Sequence, residues 1–147
     1  MGLTIPQIRQ NVAARIIAGM TGWSQSDLPL EMFGIEPATL MHKRFVCWIK
    51  QNDNTHGIQG RRGQGIYAEE ALTIRFSWKI PPKDKLAARD SSDAELCALI
   101  ELLTVQKDGW PGQMSIHYMG AVPTTNAAAE YYLTDVNFTI QHVLAFS

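Results

Sequence analysis

The chain has 147 residues, 46% of them hydrophobic and 18% charged, with a net charge of −1. A domain of that length buries about 70% of the surface its unfolded form exposes, so it needs neither disulfide nor metal to hold it. The composition excludes a disordered chain, and the near-zero charge excludes binding of nucleic acid or anionic lipid through the overall field.

Residues 4–19 are predicted to form a helix. Ile5, Ile8, Val12 and Ile16 recur at helical spacing, and Ile17 and Met20 widen the stripe. Thr4 with Gln7 makes a capping-box pattern, and Pro6 is tolerated in a first turn, where its missing N–H has no partner anyway. Nothing at this end has the charged-then-apolar form of a signal peptide. "MGLTIP" fits a myristoylation pattern only loosely, because Ile5 and Pro6 stand where Ser or Thr is expected. No run of about 18 apolar residues predicts a membrane span.

Residues 21–42 carry Pro29, Gly34 and Pro37 and show no period, so they read as a long irregular arm with Trp23, Leu28, Leu30, Met32 and Phe33 as apolar anchors. Residues 43–51, "KRFVCWIKQ", read as a strand. Residues 70–80 alternate cleanly. Leu72, Ile74, Phe76, Trp78 and Ile80 point one way, and Thr73, Arg75, Ser77 and Lys79 the other. That predicts one covered face and one polar face, with Ser77 on the polar side. Pro81 and Pro82 end the strand. "PPKDKLAARD" reads as a solvated connection. A second helix is predicted over 92–106, capped by Ser92 with Glu95 and striped by Leu96, Leu99, Ile100 and Leu103. "KDGWPGQ" reads as a turn. Residues 113–119 and 130–146 read as two more strands, joined by the loop "GAVPTTNAAA". The expected fold is α+β in a single domain: a mostly antiparallel sheet of about four strands, with two helices packed on one face.

Cys47 and Cys97 are expected to be buried free thiols, and the four histidines lack any i, i+4 pairing for zinc. No nucleophile elbow appears, and Asp90, Asp93 and Glu95 complement a helix N-terminus. No enzyme and no cofactor are expected.

The stretch "GIQGRRGQG", Gly57 to Gly65, is chemically the most open. A Walker loop requires Lys-Ser or Lys-Thr opening a helix, and a dinucleotide loop requires a helix as successor; neither follows here. Three readings remain: a solvated hairpin loop, a small nucleic-acid contact through Arg61 and Arg62, or an arm that orders against a neighbour. Trp23 in the irregular arm and Trp110 in its Gly-Pro turn serve either as interface anchors or as pins holding their loops to the body.

"LPLEMFGIEPATLMHKRFVC", then a basic glycine loop, then "ALTIRFSWKIPPKDKLAARDSSDAELCALIELL" resembles the tail terminator proteins of long-tailed bacteriophages. The resemblance runs from Ile8 to about Leu103 and contains no catalytic fingerprint. It implies a structural α+β subunit that forms a homo-hexameric ring. Such a ring caps the tail tube, stops its polymerisation and offers a joining surface to a head-completion or connector protein. DNA passes through the lumen without sequence-specific binding. The implied location is the tail-neck region of the virion, after synthesis in the host bacterial cytoplasm. On this reading Gly57–Gly65 is the assembly arm, and Arg61, Arg62, Trp23, Phe33 and Trp110 are the interface candidates. The alternative is a small nucleic-acid-binding domain that uses the same loop.

Overall fold

The computed structural model describes residues 4–34, 40–51, 66–105, 110, 114–126 and 128–144. Helix α1 (Ile5–Gly19) starts as its sequence dictates. The Thr4 hydroxyl accepts the Gln7 N–H at 3.3 Å, and the Gln7 side chain accepts the Thr4 N–H at 2.9 Å. Two donors that the helix leaves orphaned are thereby satisfied. Its stripe of Ile8, Val12 and Ile16 is wholly buried.

Five strands form one sheet: β1 (Ser24–Gln25), β2 (Arg44–Gln51), β3 (Ile66–Lys79), β4 (Ser115–Thr125) and β5 (Tyr131–Leu144). Their spatial order is β1-β2-β3-β5-β4. The four long strands pair antiparallel, as expected. The two-residue β1 joins β2 in parallel and makes the sheet mixed. Helix α2 (Lys85–Thr104) carries the chain from β3 to β4, and β5 inserts between those two strands, which gives a split βαβ unit.

Both helices contribute to one core on one face of the sheet. Ile8, Val12 and Ile16 of α1 and Leu99 and Leu103 of α2 meet Phe45, Leu72, Ile74, Phe76, Val136, Phe138 and Ile140 of the strands. The alternation of β3 is the cause, because every second residue must leave water for the strand to sit under the helices. The helices themselves approach closely where α1 ends. A Cβ on Gly19 would lie 2.6 Å from Leu102 Cδ1, so only glycine fits without displacing that leucine.

Several expected boundaries move. The second helix begins at Lys85, not at 92, because "KLAAR" is built of strong helix formers. Ser92 is therefore no cap: it lies fully buried inside α2, and its hydroxyl has no partner among the described residues. Residues 120–125, expected in a loop, belong to β4, and Pro123 sits there on an edge strand, where its missing N–H is tolerated. The turn proper is tied by Asn126, whose buried side-chain oxygen accepts the N–H groups of Glu130 at 2.7 Å and Tyr131 at 3.0 Å.

The largest correction concerns the second face of the sheet. Ser77, expected on the polar, uncovered face, is 0% exposed. Its hydroxyl bonds the carbonyl of Met41 and, at 3.3 Å, that of Arg44. The arm lies across this end of the face. Phe33 and Leu40 from the arm pack with Val46 and Leu133 from the sheet, flanked by Leu30 and Tyr131. Arg75 holds it there. Its guanidinium grips Asp135 at 2.6 and 2.9 Å and donates to the carbonyls of Leu30 and Phe33, each at 3.1 Å. The fork geometry of Arg lets one side chain bind a carboxylate and two carbonyls at once.

Candidate functional site

Of the interface candidates, Arg61 and Arg62 lie outside the described residues. Trp23, Phe33 and Trp110 are described, and none of them offers a partner much surface, being 5%, 1% and 8% exposed. Trp23 packs its ring 4.9 Å from Phe76 and 6.0 Å from Phe45, in the main core. Phe33 is the centre of the small cluster beneath the arm. Trp110 donates its indole N–H to the Leu103 carbonyl at 3.3 Å, and the Arg15 guanidinium stacks 3.5 Å above its ring. All three pack inward, and for Trp23 and Trp110 docking on the body is the other role the sequence allowed.

The exposed apolar surface lies instead at the two sides of the sheet. Strand β4 forms one edge, and its eleven residues, "SIHYMGAVPTT", include no Asp, Glu, Lys or Arg. Edge strands of self-contained proteins usually carry charge to repel another strand. Here Tyr118, Met119 and Val122 are 43%, 66% and 54% exposed. A bulge between Tyr118 and Gly120 turns Met119 outward, while Tyr118 leans edge-on to Phe138 at 5.9 Å. At the opposite side β1 pairs only with Arg44 and Phe45. From Val46 to Gln51, β2 has no strand neighbour on that side among the described residues. Trp48, on the face away from the helices, is 38% exposed there, and Met41 just ahead of the strand is half exposed. The sequence held a usable signal for the β4 edge, namely a long stretch without charge, but the loop reading of "GAVPTT" concealed its length.

A groove of about 540 Å³ opens between the ends of the helices, with Ala18, Gly19, Leu102 and Val105 in its lining and Arg15 and Glu101 as its charged residues. Its lining is mainly apolar and brings no set of acid, base and nucleophile together. Among the described residues no group of three or more His, Cys, Asp or Glu is placed to hold a metal.

The electrostatics are local. Lys43 lies 3.7 Å from Glu95 and 5.5 Å from the Trp78 ring, joining the β2 entrance to α2. The Arg75 guanidinium is held above its ordinary value by its hydrogen bonds to Asp135, against the opposing effect of burial. His42 meets Trp78 edge to face at 4.4 Å and accepts the Lys79 N–H at 3.2 Å through Nδ1. Burial lowers its pKa, and Lys43 and Lys79 lower it further. In the core, His142 Nε2 stands 3.6 Å from the Glu70 carboxylate. Cys47 packs on the core as a free thiol, and loss of water pushes it up to about 12. Cys97 is exposed on α2, contrary to the expectation that both thiols are buried.

No helix among the described residues is long and apolar enough to cross a membrane. No protein-family model and no curated protein matches the sequence.

Proposed function

We propose that this chain is a structural subunit of a phage or prophage tail, one that assembles into a six-membered ring, caps the tail tube and presents the head-joining surface. One observation carries the reading beyond the sequence resemblance. The chain offers two different apolar surfaces at opposite sides of one sheet: Tyr118, Met119 and Val122 on β4, and Trp48 on β2. A ring requires heterologous contacts, in which one patch meets a different patch of the next copy, and a chain with two unlike patches at opposite sides suits that arrangement. The balanced charge also suits a lumen through which DNA must slide, since many phosphate contacts would hold it.

The test is assembly. Purified chain, alone or mixed with a polymerising tail-tube protein, is expected to give six-subunit particles by native mass measurement and rings by negative-stain imaging, and to shorten the tubes. A chain that stays monomeric in both settings overturns the proposal. Salt-dependent retention of DNA by that monomer supports the nucleic-acid-binding alternative instead.

A further inference from the structure

We propose that neighbouring copies join edge to edge, with β4 of one copy pairing antiparallel with the open stretch of β2, Val46–Gln51, of the next, so that the ring contains one continuous sheet. This inference rests on the ring reading and specifies its contact.

The strand directions permit it. β2, β3, β5 and β4 alternate in direction across the sheet, so a second copy placed beyond β4 in the same orientation brings its β2 alongside in the antiparallel sense. Such pairing satisfies backbone donors and acceptors that no strand among the described residues pairs at either edge. The side chains favour this combination over two copies of the same edge. The open stretch of β2 carries Lys50, so two such edges would bring like charges onto one strand pair. The β4 edge is uncharged and meets Lys50 without repulsion.

The faces then fix the register. Trp48 lies opposite Thr73, and Val122 opposite Asp135, both on the face away from the helices. Directly opposed residues in an antiparallel pair share a face. Setting Val122 against Trp48 covers the two exposed apolar side chains with each other. Ala121 then opposes Ile49, and Gly120 opposes Lys50, where the absence of a side chain leaves the lysine free to reach solvent. Within one copy Val122, Asp135, Arg75 and Val46 share a row. Pairing Val122 with Trp48 of the next copy therefore staggers successive copies by two residues, and stagger is what closing a sheet demands. The bulge at Tyr118/Gly120 and Pro123 confine the pairing to a short run, which guards against unlimited stacking.

The test uses full-length chains in which Cys97→Ser removes the exposed thiol, with Trp48→Cys in one preparation and Val122→Cys in another. Opposed residues of an antiparallel pair have Cα atoms about 4.5–5.5 Å apart, within the reach of a disulfide. Mild oxidation of the mixture is expected to give a covalent dimer, and each preparation alone none. A chain carrying both cysteines is expected to give a ladder ending at the ring. Val122→Lys, at an exposed position, is expected to keep the parent's melting temperature and lose the ring. Self-linking of the Val122→Cys chain would show a two-fold β4 contact and overturn the proposal. Rings that form without any Trp48–Val122 link overturn it while leaving the ring reading intact. Protein that stays monomeric in every preparation, the parent included, overturns both.

Discussion

The two faces of β3 are covered by different means. On the Phe76 side two helices lay regular apolar stripes over Leu72, Ile74 and Phe76. On the Ser77 side a non-repetitive arm covers one end only, through Phe33, Leu40 and the Arg75 clasp. The first cover is apolar and its energy scales with area removed from water. The second combines a small apolar cluster with directional bonds, and its stability depends on a few polar atoms being matched. Among the described residues nothing covers the far end of that face, near Trp48, which is also where β2 has no strand neighbour on its outer side.

Truncation on each side measures the difference. Phe76→Ala is expected to cost about 3–5 kcal/mol through lost burial and a residual cavity, since the ring is fully buried against Trp23 and its neighbours. That is a large share of a typical domain's 5–15 kcal/mol, roughly speaking, so the variant should lose solubility or unfold at low denaturant. A cost below about 1 kcal/mol in a denaturant titration would show that the helices do not cover this face.

Arg75→Ala tests the other cover. It removes the donor to the Asp135 carboxylate and to the Phe33 carbonyl, and one of the two donors to the Leu30 carbonyl, and about 2 kcal/mol of destabilisation is expected, because the pair retains partial contact with water. Arg75→Lys should recover little, since an ammonium cannot bind the carboxylate in two-point fashion and reach both carbonyls. Limited proteolysis should then cut within residues 26–34 before the core unfolds. If the alanine variant leaves that cleavage rate unchanged, the clasp does not hold the arm.

Ser77→Ala is expected to cost about 1–2 kcal/mol, less than Arg75→Ala, because one buried hydroxyl is lost and with it the donor to the Met41 carbonyl. Read from alternation alone, this position should have been neutral. A melting temperature equal to the parent's would restore that reading and place the Met41 segment off the sheet.

The contrast also explains what the sequence disclosed. α1, its capping box and the inward face of β3 follow from local chemistry, so periodicity and a four-residue pattern suffice to find them. The cover on the Ser77 side is tertiary. Arg75 and Ser77 look polar, hence solvent-facing, and only the fold reveals that Leu30, Phe33 and Met41 bring carbonyls to them. The inward packing of Trp23, Phe33 and Trp110 is tertiary in the same way. Aromatic residues in irregular segments can dock outward or inward, and local sequence carries no sign of the direction. The exposed apolar group on β4 was missed because Gly120 and Pro123 suggest a loop, whereas a bulge and an edge position accommodate both.

The smallest expected effect lies where the two covers meet, at the turn before β2. His42 is lowered chiefly by burial, then by the charges of Lys43 and Lys79, with Glu95 acting weakly the other way. The neutral ring accepts the Lys79 N–H, a bond that a proton on Nδ1 would remove. In the unfolded chain the imidazole titrates near its ordinary value of 6.5. The folded state therefore binds this proton less readily than the unfolded state does. Its contribution to stability is complete above 6.5 and is lost as pH falls through the lowered folded value. His42→Asn removes that proton linkage. Between about pH 7.5 and about pH 5 the parent should lose more stability than the variant, by about 0.5 kcal/mol or less, since a partly solvated group is screened. Denaturant titrations of both proteins at the two pH values give the comparison. Equal losses would mean that His42 makes no net demand for its neutral form and that the Lys79 bond contributes nothing at this junction.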